Sequence, residues 1–323
     1  MKKIPVGILG ASGLVGQNYL KLLKNHPFFE VTFQPSSKTS LNEALKEAKG
    51  KCRLIFSALP DAVAKECEFL YAKEGFAVFS TASCHRLEPD IPLIIPEINP
   101  SHLDLIPLQQ KKRGFTKGFV VAKPNCTLQS YLLPLYPLHR AFTVKKLMVT
   151  TLQAISGAGK TFNLEKNAIP YIFGEEEKSE NEPLKILGSV TGKGIHLEEG
   201  IAISTHCNRV PILSGHLACV SVSFERKPQE KEVLTLWKEF KEKEVEGLPS
   251  APSLPLIYLE GADRPQPLLD CNRENGMVVT IGRLRKCPVL DFRFAALSHN
   301  LIRGAAGGSI LSAELAYKKG FLW

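Results

Sequence analysis

The glycine-spaced turn at Gly10, Gly13 and Gly16 constrains the fold of this chain more than any other feature. A short apolar run, Ile4 to Leu9, leads into it, and Leu14, Val15, Tyr19, Leu22 and Leu23 then recur at helical spacing. That is a strand, a tight turn and a helix. Residues without a Cβ let backbone N–H groups approach a pyrophosphate at the positive end of the helix. The spacing departs from the usual dinucleotide fingerprint, so the motif is weak by itself. Its context strengthens it, because apolar runs at 31–33, 54–56, 77–79 and 119–121 alternate with helical patterns such as Asp61 to Lys73. This is the rhythm of an α/β fold with a doubly wound parallel sheet. After the second run the chain reads Gln34-Pro-Ser36-Ser37-Lys38-Thr39, with no carboxylate to hold a ribose 2′-hydroxyl. Two hydroxyls and an ammonium suit a 2′-phosphate, which favours NADP over NAD.

At 323 residues, with 44% hydrophobic and 23% charged residues, the chain has room for two globular domains. Lys2 and Lys3 before an apolar stretch imitate a signal peptide, but no small-residue cleavage site follows. No run reaches the roughly 18 apolar residues of a membrane span, so a cytoplasmic protein with no membrane partner is expected. The net charge of +9 raises nucleic-acid binding as an alternative. Against it, the basic residues are dispersed. The densest groups, Lys111-Lys112-Arg113 and Arg283 to Lys286, lack interleaved aromatics and any reading motif. A basic surface also concentrates anionic substrates and cofactors, so no nucleic-acid partner is expected.

Eight cysteines, at 52, 67, 84, 126, 207, 219, 271 and 287, include no C-x-x-C pair. Their spacing suggests neither a disulfide framework nor a metal site. Cys126 stands apart, because it follows the run ending Val121-Ala-Lys-Pro-Asn125 and precedes the apolar pattern Thr127-Leu-Gln-Ser-Tyr-Leu-Leu. A helix is expected to begin at or just after it, short or bent because Pro134 and Pro137 interrupt the pattern. A thiol at a helix amino terminus is expected to have a lowered pKa and to be nucleophilic.

Four motifs in order extend this reading: the glycine turn, Pro124-Asn125-Cys126-Thr127, Gln153-Ala-Ile-Ser156-Gly157-Ala-Gly159, and Cys207-Asn-Arg209-Val-Pro-Ile-Leu-Ser-Gly-His216. With supporting segments such as Ile95-Pro-Glu-Ile-Asn99, Phe173-Gly-Glu-Glu-Glu-Lys178 and His299-Asn-Leu-Ile-Arg303, the chain resembles the aspartate-semialdehyde dehydrogenases nearly end to end, particularly their archaeal and fungal branch. The resemblance implies NADPH-dependent reductive dephosphorylation of β-aspartyl phosphate to aspartate β-semialdehyde through a cysteine thioester. That reaction serves biosynthesis of lysine and diaminopimelate, threonine and methionine. It implies Cys126 as nucleophile, His216 as general acid/base, and Gln153 as an amide that holds the acyl group. Arg209 is then expected to bind the substrate carboxylate, Glu182 its ammonium, and Lys185 and Arg86 the phosphate, supported by Asn125. Glu182 and Lys185 share one face if Pro183 lies near a helix start. Cofactor contacts are expected at Gly10, Ser12, Gly13, Leu14 and Val15, at Ser36, Ser37 and Lys38, at Ser156 and Gly157, and at Asn300. His206 is a further candidate for the cleft wall. Lys160 and Ser214 depart from the family pattern, which affects the loop around Gly159.

The implied architecture is a Rossmann-type domain, residues 1–125 with 301–323, and an α+β catalytic and dimerisation domain, 126–300. The second domain's sheet is expected to be mixed and largely antiparallel. Its strands are read at Ile201 to Thr205, Ala218 to Phe224, Val278 to Leu284 and Leu290 to Leu297, with a charged helix from Lys231 to Lys243. A homodimer or homotetramer is implied, with inorganic phosphate as co-substrate or product. The rival within the same chemistry, an N-acetyl-γ-glutamyl-phosphate reductase, acts on an acylated amine and has no use for a carboxylate at Glu182.

Overall fold

The structure is a computed structural model that describes residues 3–322; Met1, Lys2 and Trp323, and with them the outer ends of the 1–125 and 301–323 assignment, lie outside the described residues. In chain order the first five strands are β1 (Ile4–Leu9), β2 (Phe29–Phe33), β3 (Leu54–Ser57), β4 (Ala77–Ser80) and β5 (Phe119–Ala122). They form one parallel sheet in the order β2-β1-β3-β4-β5. Their connections carry α1 (Leu14–Leu23), α2 (Leu41–Lys49), α3 (Asp61–Lys73) and α4 (Ile106–Arg113). Val6, Ile8, Phe56 and Phe79 pack with Tyr19 of α1, while Ile55, Val78 and Val120 face the opposite way, towards Cys67 and Tyr71 of α3. Burial on both faces is why β1, β3, β4 and β5 read as continuous apolar runs, whereas the edge strand β2 exposes Glu30 and Thr32. The chain reverses its direction of travel across the sheet at β1, so a crevice opens beyond the carboxyl ends of β1 and β3.

After α5 (Leu128–Phe142) come β6 (Val144–Gln153), α6 (Glu175–Ile186), a hairpin of β7 (Ser189–Thr191) and β8 (Gly194–His196), and then β9 (Ala202–Arg209) and β10 (His216–Phe224). Next follow α7 (Glu230–Glu239), β11 (Leu256–Leu259), α8 (Pro267–Asp270), β12 (Val279–Lys286) and β13 (Phe292–Ser298). A six-stranded mixed sheet forms in the order β11-β12-β13-β10-β6-β9. Three of its pairings are antiparallel, but β9 lies parallel to β6 and β11 parallel to β12. The antiparallel reading of β9 is corrected for a topological reason: α6 is a crossover, which returns the chain in the same direction.

Two expectations about helices also change. Both prolines lie inside α5, which runs unbroken for fifteen residues because it is buried against β10, β12 and β13, and tertiary packing outweighs the lost backbone bonds. The Trp237 indole donates to the Pro134 carbonyl at 2.8 Å, tying α7 to α5. Helix α7 ends at Glu239 rather than at Lys243, because Phe240 turns to an extended conformation. The chain closes through a π turn, Ile302–Ala306, into α9 (Gly307–Lys318). Its Ile310 and Leu311 pack with Val6, Ile8 and Phe56 on the α1 side of the first sheet.

Candidate active site

The second sheet assembles three of the expected residues at one edge. Gln153 ends β6, Arg209 ends β9 directly beside it in register, and His216 begins the neighbouring β10. Opposite them, the carboxyl end of β5 leads through Lys123-Pro124-Asn125-Cys126 into α5. The cleft between the sheets has a volume of about 1050 Å³ with its open solvent and is lined by Gly13, Leu14, Val15, Arg86, Cys126, Ser156, Gly157 and Asn300. That exceeds what one small substrate fills.

The glycine turn is built for close approach. Gly10 has φ +74°, and a Cβ there would lie 2.6 Å from the Ala58 carbonyl oxygen. A Cβ on Gly16 would meet the Gly10 oxygen at 2.2 Å, so this glycine seats the helix against its own turn. Gly13 is the N-cap of α1, with no side-chain cap on the helix and the cleft before it. The Lys160 ammonium spans to the Ser12 carbonyl at 2.6 Å, tying the loop after Gly159 to this turn. Ser36, Ser37 and Lys38 form an exposed turn after β2, the strand next to β1, and Lys38 makes no ion pair.

Cys126 is half-buried and precedes the Thr127 N-cap of α5. Asn125 fixes it from both sides: its N–H donates to Glu182 at 2.7 Å, its Nδ2 to Glu175 at 2.8 Å, and its Oδ1 accepts from the Thr127 N–H at 2.8 Å. Burial, and then the Glu175 carboxylate, push the thiol up to about 11 against the pull of Arg86, Lys123 and Arg209. The expected lowering is therefore reversed. Desolvation and a neighbouring anion outweigh the helix terminus, which lies beyond the cysteine rather than under it.

His216 accepts the Ala154 N–H at Nδ1, 3.1 Å away, so the neutral ring carries its proton on Nε2. That Nε2 is buried with no hydrogen-bond partner. A Cβ on Gly157 would sit 3.3 Å from it, so glycine leaves it open. Burial and Arg209 push the ring's pKa down to about 3. His216 thus presents a neutral N–H at Nε2.

The other expected residues divide. Arg209 gives one nitrogen to the Ala154 carbonyl at 2.7 Å and keeps the rest of its fork free of protein partners. Arg86 bonds Glu182 at 3.0 Å and the Thr81 carbonyl at 2.8 Å, while its Nε is buried and unpaired. Glu182 has both oxygens committed, to Arg86 and to the Asn125 N–H, so it holds the nucleophile's loop rather than offering itself to an ammonium. Lys185 spends its three donors on the carbonyls of Arg86, Glu88 and Ile91, at 2.6, 2.6 and 2.7 Å. It has no donor left for phosphate. Pro183, contrary to expectation, lies near the end of α6; the Ser179 carbonyl that it leaves without a backbone donor accepts the Tyr131 hydroxyl at 3.0 Å. Gln153 donates to the Thr127 hydroxyl and, at 3.1 Å, to Glu175, leaving only its Oε1 unpaired. An acceptor there cannot hold an acyl oxygen. Asn300 bridges the Ser156 hydroxyl and the Gly215 N–H, both at 2.9 Å, and so fixes two site loops. His206 points to the exposed face of the second sheet, because alternate residues of β9 face opposite ways.

Sequence reasoning missed two groups. Glu175, on the cleft wall, joins Asn125, Gln153 and Lys178, and three consecutive glutamates gave no sign of which one faces inward. Lys123, buried beside the cysteine, has no partner for its amine, and burial followed by Arg303 and Arg86 pushes its pKa down to about 7.

Two family profiles match the chain: the semialdehyde dehydrogenase NAD binding domain at residues 5–106 and the semialdehyde dehydrogenase dimerisation domain at 135–303. An aspartate-semialdehyde dehydrogenase of Archaeoglobus fulgidus is 39% identical over 342 residues, covering 97% of this chain and 98% of that protein. One of Cryptococcus neoformans is 38% identical over 359 residues, covering 99% and 98%. The crystal structure of the Candida albicans enzyme with NADP superposes with a TM-score of 0.87 at 35% identity, covering 99% of this chain and 100% of that one.

Proposed function

We infer the chemistry of this chain from its membership: it belongs to the aspartate-semialdehyde dehydrogenases. It is an NADP-dependent oxidoreductase that reduces β-aspartyl phosphate to aspartate β-semialdehyde and phosphate. The observation that carries this reading is Cys126 facing the glycine turn across one cleft, with Arg209 and His216 packed against Gly157 on its wall.

The residues present fit the cofactor. Gly10 and Gly16 leave no room for a Cβ, Gly13 leaves the α1 amino terminus open, and Lys38, exposed after β2, makes no ion pair among the described residues. Gly13, Leu14, Val15, Ser156, Gly157, Ser36, Ser37 and Lys38 would hold it. Bound NADPH supplies the hydride. Cys126 attacks the acyl carbon, the carbon–oxygen bond to phosphate breaks, and a thioester forms. Lys123, partly deprotonated at neutral pH, takes the thiol proton. Arg209 meets the substrate carboxylate, Lys178 turns from Glu175 Oε1 to join Arg86 at the phosphate, and the oxygen it leaves meets the ammonium. His216 donates from Nε2 to the acyl oxygen as negative charge gathers there.

Residues 1–125 with 301–323 serve as the cofactor domain and 126–300 as the catalytic and dimerisation domain. The packing of α9 against the first sheet supports this division. The chain forms a homodimer through the uncovered face of the second sheet, where Met148, His206 and Cys219 are exposed. No described helix is long and apolar enough to cross a membrane, in keeping with a cytoplasmic site of action. The test is phosphate-dependent NADP reduction with aspartate β-semialdehyde and with N-acetylglutamate semialdehyde in parallel. Activity with the first alone is expected; activity with only the second overturns the substrate assignment.

A further inference from the structure

A second cluster of reactive groups lies away from the catalytic cysteine, under the segment that carries Arg86. Glu68 on α3 is completely buried. One of its oxygens accepts the Ser80 hydroxyl at 2.8 Å, and the other, Oε2, has no hydrogen-bond partner. Facing it at 3.6 Å is His85 Nε2, also fully buried and also without a hydrogen-bond partner. Cys84, half-buried, completes the group: the carboxylate oxygen, the imidazole nitrogen and the sulfur all lie within 4.8 Å of one another.

The tautomer of His85 makes this arrangement unusual. Its Nδ1 is 2.6 Å from Glu88 Oε1, and Arg113 binds the other Glu88 oxygen at 2.5 Å. With Arg113 on the other Glu88 oxygen, that carboxylate accepts from His85 Nδ1, which turns Nε2 towards Glu68 Oε2. Two buried ligand atoms without hydrogen-bond partners among the described residues face each other, and a cation between them satisfies both.

A carboxylate oxygen, an imidazole nitrogen and a thiolate sulfur form a ligand set for zinc, and a histidine whose far nitrogen donates to a carboxylate is the usual support for a metal-bound ring. In a tetrahedral zinc site neighbouring ligand atoms are roughly 3.3–3.7 Å apart, a spacing that follows from metal–ligand bonds of about 2.0–2.3 Å. The 3.6 Å separation of Glu68 and His85 already matches it, and the half-buried Cys84 sulfur lies within 4.8 Å of both. We propose that Glu68, Cys84 and His85 form a three-ligand site for a borderline-soft divalent cation of the zinc class, with its fourth position open to water. On binding, the Cys84 thiol gives its proton to solvent and the metal accepts a lone pair from Glu68 and from His85. The spacing of the cysteines hid this site, because Glu68 lies on a helix far upstream and only the packing of α3 brings it to Cys84.

Cobalt(II) and zinc(II) binding to the full-length Cys126→Ser protein tests the assignment, since that background removes the catalytic thiol as a competing ligand. One cobalt per chain with a near-ultraviolet sulfur-to-cobalt charge-transfer band is expected. Adding Cys84→Ser should abolish the band and weaken zinc, measured by competition with a chromophoric chelator, by at least about tenfold. The half-buried position of Cys84 makes that variant mild, and an unchanged melting temperature without metal checks its fold. A band missing from Cys126→Ser, or kept in the double variant, overturns the proposal.

Discussion

Replacing Glu175 with glutamine removes the carboxylate that ranks next to burial in holding the Cys126 thiol protonated. Both groups line the same cleft. Two charges roughly 6 Å apart at an effective dielectric near 20 repel by about 3 kcal/mol. Lys178, 3.2 Å from Glu175, already offsets part of it, which leaves an expected fall in the thiol pKa of about one unit. About ten times more thiolate would then be present near neutral pH. A less basic thiolate is also a weaker nucleophile, by roughly threefold per unit, so alkylation should quicken only about threefold. The assay is iodoacetamide labelling of Cys126, followed by peptide mass from pH 7 to 11 in the ligand-free protein. Glu175→Gln should move the midpoint of the rate profile down by about one unit, with an unchanged melting temperature as control. A midpoint that stays in place, or rises, refutes the assignment of Glu175 as the group restraining the nucleophile.

Lys123→Met should stabilise the protein while impairing the reaction. The folded pKa of about 7 lies below the ordinary 10.5, so between those values the unfolded chain binds more protons and stability falls as pH falls. Removing the amine should recover on the order of 4 kcal/mol at pH 7 and little near pH 11 in urea denaturation; an equal effect at both contradicts the linkage. Glu97→Gln breaks a bidentate pair with Arg303, at 2.6 and 2.7 Å, in which both side chains are buried. It should cost about 3–5 kcal/mol, read as a fall in Tm of roughly 10 °C, and a shift of a degree or two would mean that water reaches the pair. Met148→Arg, on the uncovered sheet face, should turn a dimer into a monomer in sedimentation, and an unchanged mass would put the interface elsewhere.

The parallel sheet was legible because β1, β3, β4 and β5 are buried on both faces and show as apolar runs, and because Gly10 and Gly16 occupy positions that exclude a Cβ. The triad of Cys126, Arg209 and His216 was legible as motif spacing. What failed to show was anything decided by partners distant in sequence. Lys185 looked like a phosphate ligand until its carbonyl cage, formed by Arg86, Glu88 and Ile91, appeared. The prolines of α5 looked like interruptions, because local propensity does not register the two layers that bury the helix. The pKa of Cys126 ran opposite to expectation, since the sequence contains the helix start but not the dryness of the site or the position of Glu175.

Mixing the protein with aspartate β-semialdehyde and NADP in the absence of phosphate tests most directly whether redox chemistry in this cleft runs through a thioester on Cys126. A burst of one NADPH per chain and an aspartyl adduct on the Cys126 peptide are predicted, with turnover resuming on addition of phosphate and no burst from Cys126→Ser. Steady reduction without a burst, or an adduct on any other cysteine, would contradict it.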